Sequence, residues 1–510
     1  MLTLLSKLRS TGLLTLKGIA SLATAPITTG INLMALLRTV AKLHPERIAL
    51  VDDRERYTYR ELLQQSESVA AILQQQYGIR GGQQAAIICR NHASAVKSLF
   101  ALSLLGAHTT LVSPEIGPDG LCDLEEEWGF DLYIYDSSSA HLFESSALRA
   151  TAVPAYHETG DSIQRMSSQQ ARLKAGRGGG RLILLSGGTT GRPKAVPRRP
   201  SAIQYMPPFN ALLTTVKLNN YRSLYVATPI VHGFGLASLI MGIALGAEIY
   251  LSEKFDAKQS CTLIKQNKIE VVALVPLALK RILNQGVESL SSLRCILIGG
   301  SSLSPELANE AHIQLGQKLF NLYGTSEAGV CIISTPEMIQ QKPESIGKPM
   351  KGVRVQIVDD LGNEVADYET GQLRICSAWT TNRKHWLETG DLAYRDVEGY
   401  IFLAGRIDDM IVSGGHNVYP MELERILRQH PELESVAVVG LADEDFGQRL
   451  KSIVVRKQNS TIDEAEILRW LRPRVARYQM PSAVEFREEL PYTSLGKVDR
   501  NLLKNKVIDV

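Results

Sequence analysis

The chain has 510 residues, of which 44% are hydrophobic and 21% are charged, and this composition excludes a disordered, fibrous or membrane-embedded protein. Its length exceeds a single compact core and predicts about three folding units. The net charge of +3 creates no broad field for nucleic acid, so no nucleic-acid partner is expected. The six cysteines are widely spaced, without CxxC pairs, and are predicted to be reduced and buried.

Residues 1–44 are predicted to be an amphipathic leader. No Asp or Glu precedes Glu46, and the leucines between Leu2 and Leu16 fall near one helical face. Two hypotheses stay open, namely a helix within residues 1–29 that lies on an anionic membrane and a helix that packs on the protein's own body. The first predicts a cytoplasmic protein with peripheral contact to the inner face of the membrane, since no signal-peptide pattern is present.

From Tyr57 onward, short apolar runs alternate with helical patterns. The predicted elements are, in chain order, a helix at 60–76, a strand at 84–89, a helix at 94–105, strands at 109–113 and 223–228, a helix at 235–245, and strands at 248–251 and 271–275. Such alternation predicts an α/β fold in which helices cover parallel sheets.

After Asp359 the pattern changes to short strands separated by turns, which predicts a small β-rich subdomain. Beyond Arg406, alternating helix and strand patterns predict a small α+β domain. The predicted organisation is a leader at 1–44, a large layered domain at 45–405 with two parallel-rich sheets and a β-rich subdomain at about 345–405, and a small mobile C-terminal domain at 406–510.

A loop rich in glycine and hydroxyl residues follows the apolar run that ends at Leu185. It reads Ser186-Gly187-Gly188-Thr189-Thr190-Gly191-Arg192-Pro193-Lys194. Glycines let backbone N–H groups approach an anion, hydroxyls add donors, and the lysine adds charge, so the loop is predicted to bind phosphate. It is not a Walker loop, because two residues separate Gly191 from Lys194. An ordinary Gly/Thr turn is the alternative.

This loop resembles the phosphate loop of the adenylate-forming superfamily, which includes acyl-CoA synthetases, peptide-synthetase adenylation domains and luciferases. Further motifs follow in the order of that superfamily, at Asn321–Glu327, Glu388–Asp391, Gly405–Asp409 and Pro491–Arg500. The resemblance extends over roughly residues 45–505 and is most like that of bacterial fatty acid–CoA ligases.

The resemblance implies a role for each matched residue. The residues that it implies for nucleotide binding are Ser186, Gly188, Thr189, Thr190, Gly191, Lys194, Gly300, Ser301, Tyr323, Gly324, Ser326, Asp391, Arg406 and Lys497. Glu327 corresponds to the metal-binding glutamate, and carboxylate oxygen suits Mg²⁺. The implied catalytic residues are Lys497, His232 and Thr189, of which His232 corresponds to the position beside the reacting carboxylate.

Asp408 corresponds to the hinge between the large and small domains of the superfamily. Rotation at this hinge exchanges Lys497, which serves adenylation, for a second segment that serves the thiol step. That segment contains Ser413, Gly414 and Gly415, which the resemblance implies as the lining of a passage for coenzyme A.

The implied function is that of an ATP-dependent acyl-CoA synthetase. It would join a medium- or long-chain fatty acid to coenzyme A through acyl-AMP, with Mg²⁺ as the metal and AMP and pyrophosphate as products. The small residues of Gly299–Leu303 favour room for a long chain. Two alternatives stay open: an acyl-AMP ligase that loads a carrier protein, and a non-catalytic acyl- or nucleotide-binding protein on the same fold.

Overall fold

A computed structural model describes residues 32–143, 150–157, 161–169, 171, 173, 179–186, 194–198, 202–381, 385–413, 416–443, 446–493 and 495–505. The predicted leader helix at the start of the chain lies outside the described residues, as do Gly188, Thr189, Thr190, Gly191, Gly414 and Gly415. The chain divides into two compact units: unit 1 comprises 1–343, 349–353 and 377–385, and unit 2 comprises 344–348, 354–376 and 386–510.

Unit 1 contains two parallel-rich sheets. Its strands are β1 (Ile48–Val51), β2 (Arg56–Thr58), β3 (Gln84–Ile88), β4 (His108–Leu111), β5 (Leu132–Tyr135), β6 (Thr151–Pro154), β7 (Leu182–Ser186), β8 (Lys194–Arg198), β9 (Ser223–Val226), β10 (Glu248–Leu251), β11 (Val271–Leu274), β12 (Cys295–Ile298), β13 (Leu319–Thr325) and β14 (Gly329–Ser334). One sheet has the order β6-β5-β3-β4-β7-β8, and the other has the order β14-β13-β12-β11-β9-β10-β1-β2. Neighbouring strands are parallel except in the pairs β1–β2, β7–β8 and β13–β14. The predicted α/β fold is therefore confirmed.

Helices accompany both sheets of unit 1. They are α1 (Leu33–Leu43), α2 (Tyr59–Gln76), α3 (Ala93–Leu105), α4 (Pro118–Trp128), α5 (Ile163–Ser167), α6 (Ala202–Thr215), α7 (Gly233–Leu245), α8 (Ala257–Asn267), α9 (Pro276–Leu283), α10 (Pro305–Leu315) and α11 (Pro336–Gln341). Local chemistry fixes their ends: α2 begins with a capping box between Thr58 and Glu61, and α3 ends at Gly106, whose φ of 77° suits glycine.

Helix α1 belongs to the core although it falls within the predicted leader. Met34, Leu37 and Val40 are buried among residues of α2 and α3. This part of the leader packs on the protein's own body, whereas the membrane hypothesis concerns residues 1–29, which lie outside the described residues. Among the described residues, no helix is both long and apolar enough to cross a membrane.

Unit 2 contains an antiparallel sheet and a smaller α+β body. Its strands are β15 (Ser345–Pro349), β16 (Arg354–Val358), β17 (Gly371–Cys376), β18 (Leu387–Arg395), β19 (Ile401–Arg406), β20 (Ile411–Ser413), β21 (His416–Val418), β22 (Leu433–Asp443), β23 (Gly447–Arg456) and β24 (Ala483–Arg487), and its helices are α12 (Pro420–Arg428), α13 (Glu464–Leu471) and α14 (Arg500–Asn505). The first sheet runs β16-β17-β18-β19-β15, and the second runs β21-β20-β23-β22, with β24 parallel to β23. Contacts group the β-rich segment with the C-terminal part of the chain. The predicted domain boundary at Arg406 stays a prediction.

The six cysteines are thiols that form no disulfide, as predicted. Five are buried, and Cys122 is half-buried. Burial raises the pKa of the Cys89, Cys261 and Cys295 thiols, because the thiolate would lose its hydration.

Candidate functional site

In unit 1, His232, Gly300, Ser301, Ser326 and Glu327 follow the carboxyl ends of β9, β12 and β13, the edge at which ligands bind in open α/β sheets. Strands β12 and β13 are adjacent, with Ile298 opposite Asn321. The 299–303 loop and the last residues of β13 therefore lie at the same edge of the sheet. Strand β7 ends at Ser186, whose side chain, like that of Lys194, falls outside the described set. A Cβ placed on Gly233 would lie 3.6 Å from Leu184 Cδ1, so the start of α7 approaches β7.

The β13–β14 hairpin carries four predicted site residues, which are Tyr323, Gly324, Ser326 and Glu327. Only glycine fits at position 324, because a Cβ there would lie 2.1 Å from the carbonyl oxygen of Gly329. The Ala328 N–H donates to Thr325 Oγ1 at 3.0 Å and closes the turn that presents Ser326 and Glu327. Glu327 is half-buried, and within the described part of the chain its carboxylate makes no hydrogen bond or ion pair.

The loop after β12 is shaped by two glycines. Gly300 has a φ of 86°, a conformation that favours glycine. A Cβ on Gly299 would lie 3.2 Å from the Phe234 ring and 3.2 Å from the Leu322 carbonyl oxygen. The Phe234 ring therefore occupies the space beside Gly299, where the small residues had suggested room for a long acyl chain. The Ser301 hydroxyl is buried and has no hydrogen-bond partner among the described residues.

His232 is the residue that precedes α7. Its N–H donates to the Pro229 carbonyl at 3.1 Å, and its own carbonyl accepts the first bond of the helix from Leu236 N at 2.9 Å. A Cβ on Gly235 would lie 2.2 Å from the Pro229 oxygen, so the first turn of α7 packs directly on this backbone. His232 is half-buried, and its conformation is set by main-chain contacts on both sides.

Asn91 contacts the same backbone, and sequence reasoning did not identify it. Its side-chain amide donates to the carbonyls of Thr228 at 2.8 Å and Val226 at 3.3 Å, and its Oδ1 accepts from Ile230 N at 2.7 Å. Asn91 is 5% exposed and joins the turn after β3 to the segment after β9. Nothing in the local sequence marks contacts over such a separation.

In unit 2 the structure brings Asp391 and Arg406 together. The two residues are paired across β18 and β19, and Arg406 Nη1 lies 3.0 Å from Asp391 Oδ1. Burial alone would lower the pKa of Arg406, but the carboxylates of Asp391 and Asp408 raise it above its ordinary value. Gly390 has a φ of 76°, and a Cβ there would lie 3.0 Å from Arg406 Nη2, so a glycine leaves space for the guanidinium.

Lys497 lies in a tight turn of unit 2. The Thr493 N–H donates to the Lys497 carbonyl at 2.8 Å, and the Lys497 N–H donates to Thr493 Oγ1 at 3.3 Å. The residue is exposed, yet its pKa lies below the ordinary lysine value, because its ammonium group loses hydration and is repelled by Arg406. Asp391 and Asp409 oppose this shift. Lys497 therefore lies in the same electrostatic environment as the Asp391–Arg406 pair.

The predicted hinge and the predicted coenzyme A passage follow Arg406 in the chain. Residues 407–409 form one 3₁₀ turn, in which Asp408 is exposed and its Oδ2 lies 3.5 Å from Arg406 Nη2. Ser413 is buried at the end of β20, opposite His416. The functional roles of Asp408, Ser413 and the two glycines after it stay predictions.

Comparisons with known proteins agree on one family. The AMP-binding enzyme family matches residues 37–383, and the AMP-binding enzyme C-terminal domain matches residues 422–497. The chain is 28% identical over 478 residues to 2-succinylbenzoate–CoA ligase of Bacillus velezensis, covering 91% of this chain and 96% of the relative. It is 32% identical over 348 residues to indoleacetate–CoA ligase of Aromatoleum aromaticum, covering 64% and 67%.

Solved structures show the same fold. The o-succinylbenzoate CoA synthetase of Bacillus subtilis in complex with its acyl-adenylate is 26% identical, with a TM-score of 0.79 and coverage of 92% of this chain and 97% of that chain. ATP-bound MatB of Rhodopseudomonas palustris is 23% identical, with a TM-score of 0.83 and coverage of 94% and 99%.

Proposed function

Because the chain belongs to the AMP-binding enzyme family, we propose that it is an ATP-dependent acid–CoA ligase that acts through an acyl-adenylate. The relatives named as CoA ligases that align over 91% of the chain support this class of reaction. The observation that carries the proposal is the Asp391–Arg406 ion pair, 3.0 Å across β18 and β19, whose charges also act on Lys497 from a distant part of unit 2. ATP and coenzyme A are the co-substrates, and Mg²⁺ is the metal.

In the first half-reaction, a carboxylate oxygen of the acid attacks the α-phosphorus of ATP. The bond from that phosphorus to the bridging oxygen breaks, and pyrophosphate leaves. Two anions meet in this step, so preorganised donors stabilise the transition state. In our proposal Lys497 and Thr189 contact the α-phosphate oxygens, His232 lies beside the acid carboxylate, and Asp391 accepts hydrogen bonds from the ribose hydroxyls.

The donor groups present fit a magnesium–nucleotide complex. When bound, Mg²⁺ neutralises phosphate oxygens and the leaving pyrophosphate. Glu327 is suited to hold it, because its half-buried carboxylate is unpaired within the described residues and oxygen is the ligand that Mg²⁺ prefers. The Ser301 hydroxyl, buried without a partner in the described part of the chain, is suited to donate to a substrate oxygen.

In the second half-reaction, the sulfur of coenzyme A attacks the acyl carbon. The bond from that carbon to the AMP oxygen breaks, AMP leaves, and the thiol proton passes to solvent. We propose that Ser413, Gly414 and Gly415 line the path of the thiol and that Asp408 is the hinge between the two half-reactions.

The acid that we propose has a compact aromatic body. The relatives are named for 2-succinylbenzoate and indoleacetate, and the Phe234 ring fills the space beside Gly299 that a long chain would use. An aromatic wall also offers a favourable surface for an aromatic substrate. A medium- or long-chain fatty acid, which the motif resemblance suggested, is the competing assignment.

A panel of acids tests both the proposed CoA ligase reaction and the proposed aromatic substrate. Pyrophosphate release is measured with ATP, Mg²⁺ and 2-succinylbenzoate, indoleacetate, phenylacetate, octanoate or palmitate, with and without coenzyme A. We expect aromatic acids to have the highest kcat/KM and to yield a CoA thioester. Acyl-AMP that accumulates without thioester would instead indicate carrier-protein loading, and no pyrophosphate release with any acid would indicate a non-catalytic protein.

The substitution Phe234→Ala tests the shape of the acyl site. Removing the ring should improve kcat/KM for the long fatty acid relative to the aromatic acid by ~10-fold, within the range by which pocket shape alters specificity. Phe143→Ala is the matched control, because that ring packs with Tyr133 and Tyr135 on the other sheet. If the two variants change the ratio equally, Phe234 does not set chain length.

A further inference from the structure

Three side chains around the turn between β3 and α3 interact closely. His92 Nδ1 accepts the Ala95 N–H at 3.1 Å, so the ring proton lies on Nε2, which donates to Asp136 Oδ1 at 2.7 Å. The Arg90 N–H donates to Asp136 Oδ2 at 2.8 Å. Cys89, His92 and Asp136 offer ligand atoms to a metal, but both imidazole nitrogens already have partners within this hydrogen-bonded group. These hydrogen bonds therefore stabilise the turn that contains Asn91.

The Asn91 side chain forms hydrogen bonds with the backbone of three alternate residues in one short segment. We name residues Val226 to His232 the histidine segment, since it ends at His232. Asn91 forms hydrogen bonds with the segment at Val226, Thr228 and Ile230, and the first turn of α7 packs on the same segment through Gly235. Polar groups buried in this way are strongly directional and fix one backbone arrangement.

We propose that Asn91 is a positioning residue that fixes the histidine segment and so places His232 against the carboxylate of the acid. This inference rests on the proposed function and deepens it, because it names how the acid half of the reaction is oriented. Asn91 contacts backbone of the segment and acts through His232. A displacement of about 1 Å in such a group is enough to slow a positioned reaction by ~10²-fold.

The test uses the full chain, the best acid of the panel, and the variants Asn91→Ala and Asn91→Asp. Asparagine and aspartate have the same shape, but the carboxylate cannot donate to the Thr228 and Val226 carbonyls. We expect KM for the acid to rise by ~10- to 100-fold in both variants, with KM for ATP changed by less than ~3-fold. Equal rises in both KM values, or none, would overturn the proposal.

Tyr59→Phe is the matched control for stability. Tyr59 is fully buried, and its Oη donates to the Ala247 carbonyl at 2.7 Å, just beyond the other end of α7. Its loss should lower Tm by about 1–2 °C, as expected for one buried hydrogen bond in a unit of this size, without changing KM for the acid. If Tyr59→Phe raises KM for the acid as much as Asn91→Ala, the effect reflects general destabilisation, and the proposal is wrong.

A double-mutant cycle tests whether Asn91 acts through His232. In a His232→Ala background, Asn91→Ala should change acid kinetics by less than ~2-fold, because the group that it positions is absent. A full effect in that background would refute positioning of His232. His232→Ala that leaves acid kinetics unchanged would refute it equally.

Hydrogen exchange separates this inference from the proposed function. The Ile230 N–H donates to Asn91 Oδ1, so Asn91→Ala should raise exchange of peptides covering 226–232 by ~10-fold or more, whereas Tyr59→Phe should not. Unchanged exchange in Asn91→Ala overturns the positioning proposal even if the enzyme is active. An inactive wild-type chain with the expected exchange pattern would instead overturn the proposed function alone.

Discussion

The substitution Gly324→Ala tests the hairpin that carries Tyr323, Ser326 and Glu327. An alanine Cβ would lie 2.1 Å from the Gly329 oxygen and 2.7 Å from its carbonyl carbon, both backbone atoms, whereas real Cβ atoms essentially never approach within 3.0 Å. The two strands must therefore separate by roughly 1 Å at this pair, because densely packed backbone has no other way to yield. Such overpacking costs ~1–3 kcal/mol of unfolding free energy.

The same displacement should impair nucleotide binding. A shift of about 1 Å in positioning groups costs ~10²-fold in rate, so kcat/KM for ATP should fall by about that factor. Pyrophosphate release at varied ATP and Mg²⁺, together with urea unfolding, measures both effects.

Gly242→Ala in α7 is the control for this prediction. Its Cβ would lie 2.9 Å from Ile249 Cγ1 and 3.1 Å from Leu224 Cδ2, which are side-chain rather than backbone atoms. Alanine also gains about 1 kcal/mol of helix propensity over glycine, so this variant should keep kcat/KM for ATP within ~3-fold of wild type. Wild-type ATP kinetics in Gly324→Ala, or an equal loss in Gly242→Ala, would refute the reasoning.

Three further predictions concern Lys497 and the leader. Lys497→Ala should slow adenylation by ~10²- to 10³-fold and largely spare thioester formation from supplied acyl-AMP. Asp408→Pro should slow thioester formation and largely spare adenylation, because proline stiffens the hinge. Equal losses in both half-reactions for both variants would argue against domain alternation. Because the pKa of Lys497 is lowered, its protonated form is lost earlier as pH rises, so adenylation should decline at lower alkaline pH than in Lys497→Arg, as a pH profile of single-turnover rates will measure. Deleting Met1–Thr29 should reduce sedimentation with anionic vesicles and spare activity on a soluble acid; aggregation or loss of activity on every acid would place the leader in the folded core.

Local pattern was sufficient to predict eight regular elements of unit 1. The strand at Glu248–Leu251 has the predicted bounds, and α2 begins one residue before the predicted 60–76 helix. These elements are signalled by periodicity and caps, which are properties of neighbouring residues. The helix Leu33–Leu43 was assigned to the leader because no acidic residue precedes Glu46, and a bias in charge does not show whether a helix packs on the protein core.

Contacts between distant segments could not be predicted from one sequence. The contact of Phe234 with Gly299 depends on the segments that follow two strands of one sheet, β9 and β12, and the bonds from Asn91 to the histidine segment join the two sheets of unit 1. The pairing of Asp391 with Arg406 was predicted as a shared role by family motifs, and the structure adds the strand register that creates it. Motifs therefore predicted which residues carry the chemistry. The contacts that position those residues became visible only in the structure.

The buried thiols have a consequence for an enzyme whose own substrate is a thiol. Thiol–disulfide exchange requires an accessible thiolate, and Cys89, Cys261 and Cys295 are buried with raised pKa values. The folded protein should therefore resist mixed disulfides with oxidised coenzyme A. Under native conditions an alkylating reagent should modify Cys122 first. The other five thiols should react only when the protein unfolds, so their rate of alkylation measures the rate of global unfolding.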